Sequence, residues 1–380
     1  MNVFQHQIVN NEWIDIDNPT EQELDKCTLV LAFGSYDMVN KAETLSAIKK
    51  LYKNANIVMA STAGEILGNG VFDNTVVING IGFDKTQVKC ISTNIKLHEN
   101  SFESGKYVIE NLQADDLACL LIISDGTHIN GSELVSGINA KNIKNVPVTG
   151  GLAGDGARFA HTATGLNQIP DEGNLIGIGF YGNNLQIGHG SFGGWDEFGP
   201  QKVITRSQQN VLFEIDGKSA LNLYKEYLGD YAKELPASAL LFPISINLPG
   251  SENNIVRTIL AIDNEQGSMT FAGNMPEGSK IRLMKANFDK LIDASAMAAA
   301  QTFTALSNQN PALAILISCV GRKLVLQERT EEEVEAAQQI FGSNTKITGF
   351  YSYGEISPFN LTYTCELHNQ TMTITTFNEI

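Results

Sequence analysis

The chain has 380 residues, 43% of them hydrophobic, and a formal net charge of −16. That length suits two domains or one large one with a sizeable core. The negative field repels phosphate backbones and anionic lipid, so neither nucleic acid nor a membrane surface is an expected partner.

In chain order, TLVLAFG (28–34) reads as an apolar strand ending in glycine. DMVNKAETLSAIKKLY (37–52) carries apolar residues at helical spacing, and ANIVMASTAGE (55–65) is a strand that runs into Gly64-Glu65-Ile66. NTVVINGIGF (74–83) and TQVKCISTNI (86–95) follow as paired strands. The pattern then returns. DLACLLIISDG (116–126) is a strand, Asn130 with Glu133 can cap the helix GSELVSGINAKN (131–142), and VPVTGGLAGDG (146–156) takes the place of the second strand. Here Gly154-Asp155 stands where the first unit has Gly-Glu. A hairpin, NLIGIGFYGNNLQIGHGSF (174–192), turns at YGNN.

An insert of strands and two helices, VLFEIDGKSALNLYKEYLG (211–229) and FDKLIDASAMAAAQTFTAL (288–306) among them, occupies about 203–311. The third copy begins at ALAILISCVG (312–321). TEEEVEAAQQIFG (330–342) reads as a helix with a capping box, Thr330 at the N-cap and Glu333 three residues on, stopped by Gly342. TKITGFYSYGE (345–355) leads into a second Gly-Glu-Ile, and LTYTCELHNQTMTITTF (361–377) reads as a hairpin turning at HNQ. The spacings from Gly34 to Gly64, Gly126 to Gly154 and Gly321 to Gly354 are 30, 28 and 33 residues. These suit right-handed strand–helix–strand crossovers. The expected fold is therefore α/β, with repeated strand–helix–strand-plus-hairpin units forming mixed sheets. No Pro/Ser-rich linker interrupts it, so two closely packed domains are expected.

No apolar run approaches the ~20 residues of a membrane span. The start, MNVFQHQIVNNEWIDIDNP, has neither the basic flank nor the apolar stretch of an export signal. The cysteines, Cys27, Cys90, Cys119, Cys319 and Cys365, are odd in number and scattered, without CxxC. That pattern reads as reduced thiols of a cytoplasmic protein and not as a zinc or iron–sulfur site.

Ligands of open α/β sheets bind outside the carboxyl ends of parallel strands. The three repeated corners are such ends. They carry Ser61, Thr62 and Glu65; Gly150, Gly151 and Asp155; and Ser352, Tyr353 and Glu355. The first strands end near Ser35, Asp125, Thr127, His128, Cys319 and Arg322. Glycine lets backbone approach a small ligand, and Arg322 is the candidate clamp for a carboxylate. The bland alternative is that Gly makes a turn and Glu caps amides. Catalytic motifs are absent: no GxxxxGK[ST], GxSxG or HExxH occurs. Cys319 in ISCVGR, or Glu355 with Tyr353, would carry chemistry if the chain were an enzyme. The six histidines form no pair at metal-binding spacing. His189, in IGHGSFGGW, is flanked by glycines that leave open space beside an imidazole, which suits an axial iron ligand, a polar-ligand contact or a hydrogen-bonded loop histidine.

VPVTGGLAGDG, IGHGSFGGWDEFGP, ILISCVGRK and ITGFYSYGEISP occur in an order that resembles the FIST proteins from about residue 28 onward. These carry paired FIST N and FIST C sensory domains. The resemblance implies an N-terminal extension at 1–26, a FIST N-like domain at 27–215 and a FIST C-like domain at 216–380. It implies an intracellular small-ligand sensor of signal transduction. The family was proposed to bind ligands such as amino acids, and its NosP-type branch binds haem b to sense nitric oxide and regulates a histidine kinase or a cyclic-di-GMP enzyme. By motif position His189 is the candidate haem ligand. The haem-free alternative is a receptor for a polar metabolite at Arg322, Glu355, Tyr353, Cys319, Ser352 and Asp155. No kinase, GGDEF or EAL segment lies in the sequence, so output is expected to pass through a separate signalling protein.

Overall fold

The computed structural model describes residues 1–249, 254–306, 309–358 and 364–380. Residues 253 and 361–363 of the strand readings lie outside the described residues. The three strand–helix–strand units are present. Leu29–Gly34 runs parallel to Asn56–Ser61, with helix Ala42–Leu51 between them. Leu117–Ser124 runs parallel to Val148–Leu152 across helix Gly131–Lys141, whose N-cap Asn130 accepts from the amides of Ser132 and Glu133. Leu313–Cys319 runs parallel to Lys346–Ser352, with helix Thr330–Phe341 in the crossover. In each unit a further strand returns antiparallel beside the first: Thr75–Gly82, Asn174–Tyr181 and Met372–Glu379.

The expected hairpins are corrected. Gln87–Asn94 does not pair with Thr75–Gly82 but crosses to Asn174–Tyr181, and Leu185–Phe192 crosses to Met372–Glu379. Cys365–His368 likewise pairs with Gly354–Pro358, not with Met372–Glu379. The reason is a filled edge. Asn2–Val9 already pairs along Thr75–Gly82, so the strand that follows must find another sheet. It takes the free edge of the middle sheet, and the next strand is displaced in turn. Residues 1–26 supply the strand that starts this succession.

A second exchange runs through the corners. Glu65–Leu67 pairs with Lys346–Ser352, Thr164–Leu166 with Asn56–Ser61, and Gly354–Pro358 with Val148–Leu152. Three six-stranded mixed sheets result. Their inner faces share one core that includes Leu31 and Phe33 from the first sheet, Leu121 and Ile123 from the second, and Ile315, Ile317 and Phe350 from the third. The rings of Phe33 and Phe350 lie 4.7 Å apart across it. Helices cover the outer faces, Ala42–Leu51 on the first sheet and Gly131–Lys141 and Thr330–Phe341 on the others. The insert forms its own antiparallel sheet and core around helix Ala220–Leu228. It abuts the middle unit, where the Asn274 amide donates to Ser132 Oγ at 3.1 Å.

Helix Phe288–Thr302 crosses strand Leu185–Phe192 so closely that a Cβ on Gly190 would collide with the Ala298 carbonyl oxygen. Gly190→Ala is expected to destabilise the protein by about 1–3 kcal/mol, the cost of overpacking a tight contact. A lowered urea midpoint at unchanged slope will show it.

Candidate functional site

Two of the three corners are built alike. In the first, the Thr62 hydroxyl donates to Glu65 Oε1 at 2.6 Å, and the Thr75 amide and hydroxyl donate to Oε2 at 3.2 and 2.8 Å. In the third, Ser352 donates to Glu355 Oε1 at 2.7 Å, and the Thr371 amide and hydroxyl donate to Oε2 at 3.2 and 2.9 Å. Each glutamate therefore ties the end of the second strand to the start of the returning one. Both are buried. Burial raises Glu65 to about 7 and Glu355 to about 8, against the donors that favour the anion. The recurring Gly-Glu-Ile is thus a structural tie.

The middle corner breaks the pattern. Asp125, at the end of the first strand, accepts the Gly173 amide at 3.0 Å and so ties the returning strand. Asp155 is freed for another task. Its carboxylate accepts the amides of Phe159, Ala160 and His161 at 2.9, 3.1 and 2.9 Å, and Tyr353 donates its hydroxyl to it. The loop from 155 to 163 wraps around this buried carboxylate instead of forming a hairpin.

A cleft of about 430 Å³ opens beside this loop. One wall is the turn from Gly126 to Gly131, with Leu152, Phe159 and Tyr353; the other is Asn210, Leu260 and residues 271–273 of the insert. The size lies within the range of small-molecule sites. An apolar dent in the insert beside Leu223 and Ile281 holds about 20 Å³, room for roughly one water. Among the described residues no group of three His, Cys, Asp or Glu side chains is disposed to hold a metal ion.

Of the residues singled out in the sequence, Thr127, His128 and Tyr353 line the cleft, and Asp155 holds Tyr353 from behind the wall. Ser352 and Glu355 hold the third corner tie. Cys319 is buried, and burial with Glu355 nearby pushes its thiol well above the usual range, so it stays protonated. The expectation of Arg322 as a carboxylate clamp is corrected. It is fully buried and faces Glu333: Nε donates to Glu333 Oε2 at 2.9 Å, Nη1 to the Gly193 carbonyl at 2.5 Å and Nη2 to the Leu291 carbonyl at 2.7 Å. Glu333 also accepts from Ser318 and Tyr351 at 2.9 and 2.7 Å. The expected capping box fails for the same reason. Arg329 is the N-cap, Thr330 donates to the Gln327 carbonyl, and Glu333 turns inward as the counter-ion.

His189 lies on the third sheet with both ring nitrogens shielded and, among the described residues, without a hydrogen-bond partner. Burial lowers it to about 4, so the ring is neutral. The space over the flanking glycines, on the face of the strand opposite the imidazole, is filled. Gly188 and Gly190 are filled against Thr302 and Ala298, and Gly194 (φ +79°) against Lys290. This packing does not fit a planar macrocycle on the helix-facing side of the strand. The cleft histidine is His128, half-exposed, with Nδ1 3.3 Å from Asp125. Phe159, Asn210, Leu260 and Phe271 escaped the sequence reading. The one signal for them was the departure of Gly154-Asp155 from the Gly-Glu of its sister corners.

Two measurements follow from these groups. Arg322→Ala leaves Glu333 buried without its counter-ion, and is expected to cost about 3–5 kcal/mol in urea unfolding. Glu65 and Glu355 bind protons more tightly folded than unfolded, so their stabilisation is full below the unfolded pKa and is lost as pH rises through about 7 and 8. Each contributes a fall of up to about 1.4 kcal/mol per pH unit in that window. Melting temperature is expected to drop from pH 6.5 to 8.5, and Glu355→Gln to flatten the drop.

A FIST N domain model matches residues 28–218 and a FIST C domain model matches residues 220–358. No curated protein matches the chain. FIST domains are small-ligand sensory domains of signal transduction. No described helix is long and apolar enough to cross a membrane. The two matches cover most of the chain in the order in which the corners and the insert occur, and the chain belongs to the FIST family.

Proposed function

We propose that this protein is a cytoplasmic receptor for a small molecule that binds in the cleft between the middle unit and the insert. One observation carries the reading. Of three corners at the carboxyl ends of parallel strands, the middle one alone has exchanged its glutamate tie for a loop, and the 430 Å³ cleft lies beside that loop. The cleft walls come from both domains, so a ligand that touches both favours the arrangement in which they close on it. Occupancy then shifts the population of a surface seen by a separate signalling protein, a histidine kinase or a cyclic-di-GMP enzyme. The free state of all five cysteines accords with a reducing compartment.

Haem b at His189, sensing nitric oxide, is a second reading. The two shielded, unpartnered nitrogens of a neutral imidazole favour it, since such groups ordinarily have a partner. His189 lines neither of the cavities described above, which opposes it.

Thermal melting across a metabolite panel tests the receptor. A ligand is expected to raise the melting temperature with the logarithm of its concentration above Kd. Ala272→Trp, which fills the cleft, should remove the shift; a shift that survives Ala272→Trp places binding elsewhere. A visible titration with ferric and ferrous haem tests the second reading. Spectra like free haem, the same in His189→Ala, are expected; a saturable Soret band lost in that variant reverses the ranking.

A further inference from the structure

The chemistry of the cleft walls narrows what they hold. None of the described residues lining the cleft is Lys, Arg, Asp or Glu. Its polar side chains are the hydroxyls of Thr127 and Tyr353, the amides of Asn130 and Asn210 and the imidazole of His128. The two fully buried arginines serve other partners. Arg322 faces Glu333. Arg257 sits behind Gly273, where its Nη1 donates to the Leu367 carbonyl at 2.8 Å. A zwitterion or dicarboxylate entering this cleft loses hydration at both charges and meets, among the lining residues, no Lys, Arg, Asp or Glu, only His128, which already faces Asp125 and Glu172. A neutral molecule meets polar groups whose own needs are already met, Asn130 capping its helix, Asn210 Nδ2 on the Phe271 carbonyl and Tyr353 on Asp155, and leaves no charge to be compensated.

The second feature is an aromatic platform. Phe159 has φ +53°, a conformation that an aromatic residue rarely adopts. Such a backbone persists only where its surroundings hold it. Here the Asp155 carboxylate accepts the Phe159 amide, and the Tyr353 hydroxyl accepts it too at 3.0 Å. The ring stacks on Tyr353 at 4.5 Å and 19°, while Phe159 remains 44% exposed. One face of the stack is covered by tyrosine and the rest opens beside the cleft. Across the cleft stand Leu260 and Phe271. A slot with a fixed aromatic wall and neutral polar groups accepts a flat ring edge-on to the amides.

We infer that the ligand is an uncharged planar heterocycle that stacks on Phe159, and that it is not a zwitterionic amino acid. This rests on the receptor reading above and specifies the ligand class of that same cleft. The Asn210 side-chain carbonyl, whose Nδ2 is held on the Phe271 carbonyl, and the Thr127 hydroxyl, as a further acceptor, bond the edge of the ring. Asp155 is a positioning residue, since it touches the loop and not the ligand.

The test uses the full chain and two sets of probes at equal concentration: nicotinamide, uracil, adenine and indole against glycine, phenylalanine, glutamate, arginine and succinate. Binding is read by melting shift and calorimetry in the parent, Phe159→Ala, Phe159→Trp and Ala272→Trp. At least one heterocycle is expected to bind the parent, to weaken about tenfold or more in Phe159→Ala, as lost base–aromatic stacking does, and to bind Phe159→Trp with quenching of the new indole. Phe159→Trp keeps the platform and so separates lost stacking from a damaged loop. If an amino acid or succinate binds, loses affinity in Ala272→Trp and is indifferent to Phe159→Ala, the ligand class is overturned and the receptor reading stands. If no probe gives a response that Ala272→Trp removes, both are overturned.

Discussion

A sheet edge presents unpaired amide and carbonyl groups that must be covered or paired. In this protein each sheet receives strands from the other units. Asn2–Val9 covers the return strand of the first unit, which pushes Gln87–Asn94 into the middle sheet and Leu185–Phe192 into the third. The corner strands move the other way round, from first unit to third sheet, third to middle and middle to first. The common core and the placing of the corners both follow from this pairing. So does the position of the insert, which enters between the middle and third units and settles against the middle corner.

Repetition with one exception is what makes the middle corner interesting. Glu65 and Glu355 do the same mechanical work with the same partner types, a hydroxyl from the turn and a threonine at the returning strand. In the middle unit that work passes to Asp125. The carboxylate at the old position then organises a loop, and the loop carries Phe159 toward the cleft. A duplicated scaffold can specialise one copy while the other two keep the fold together.

Much of this was legible in the sequence, and the failures have physical causes. Strand and helix periods are local, so the three strand–helix–strand units could be read directly. Strand pairing is not local: 74–83 and 86–95 look like a hairpin because a short turn joins them, and nothing in either strand says that Asn2–Val9 already fills the edge. Glu333 imitates a capping residue by its distance from Thr330; only the fold brings Arg322 against it. That pair also removed the most attractive ligand clamp, because a guanidinium that looks free at the end of a strand is enclosed on all sides. Tyr353 and Asp155 were found because they sit in the repeat. Phe159 was missed because its loop has no period, and its significance lies in a backbone angle.

The strand exchange also bears on how the chain is made. The middle sheet contains Gly354–Pro358 and Cys365–His368, and the third sheet contains Glu65–Leu67. As the polypeptide leaves the ribosome, the first half therefore emerges with open seams that stay unpaired until nearly the last residues appear. The two family segments are continuous in sequence but are woven together in space. Neither is a module that can be cut out and carried to another protein, and a gene fusion that separated them would divide the sheets themselves.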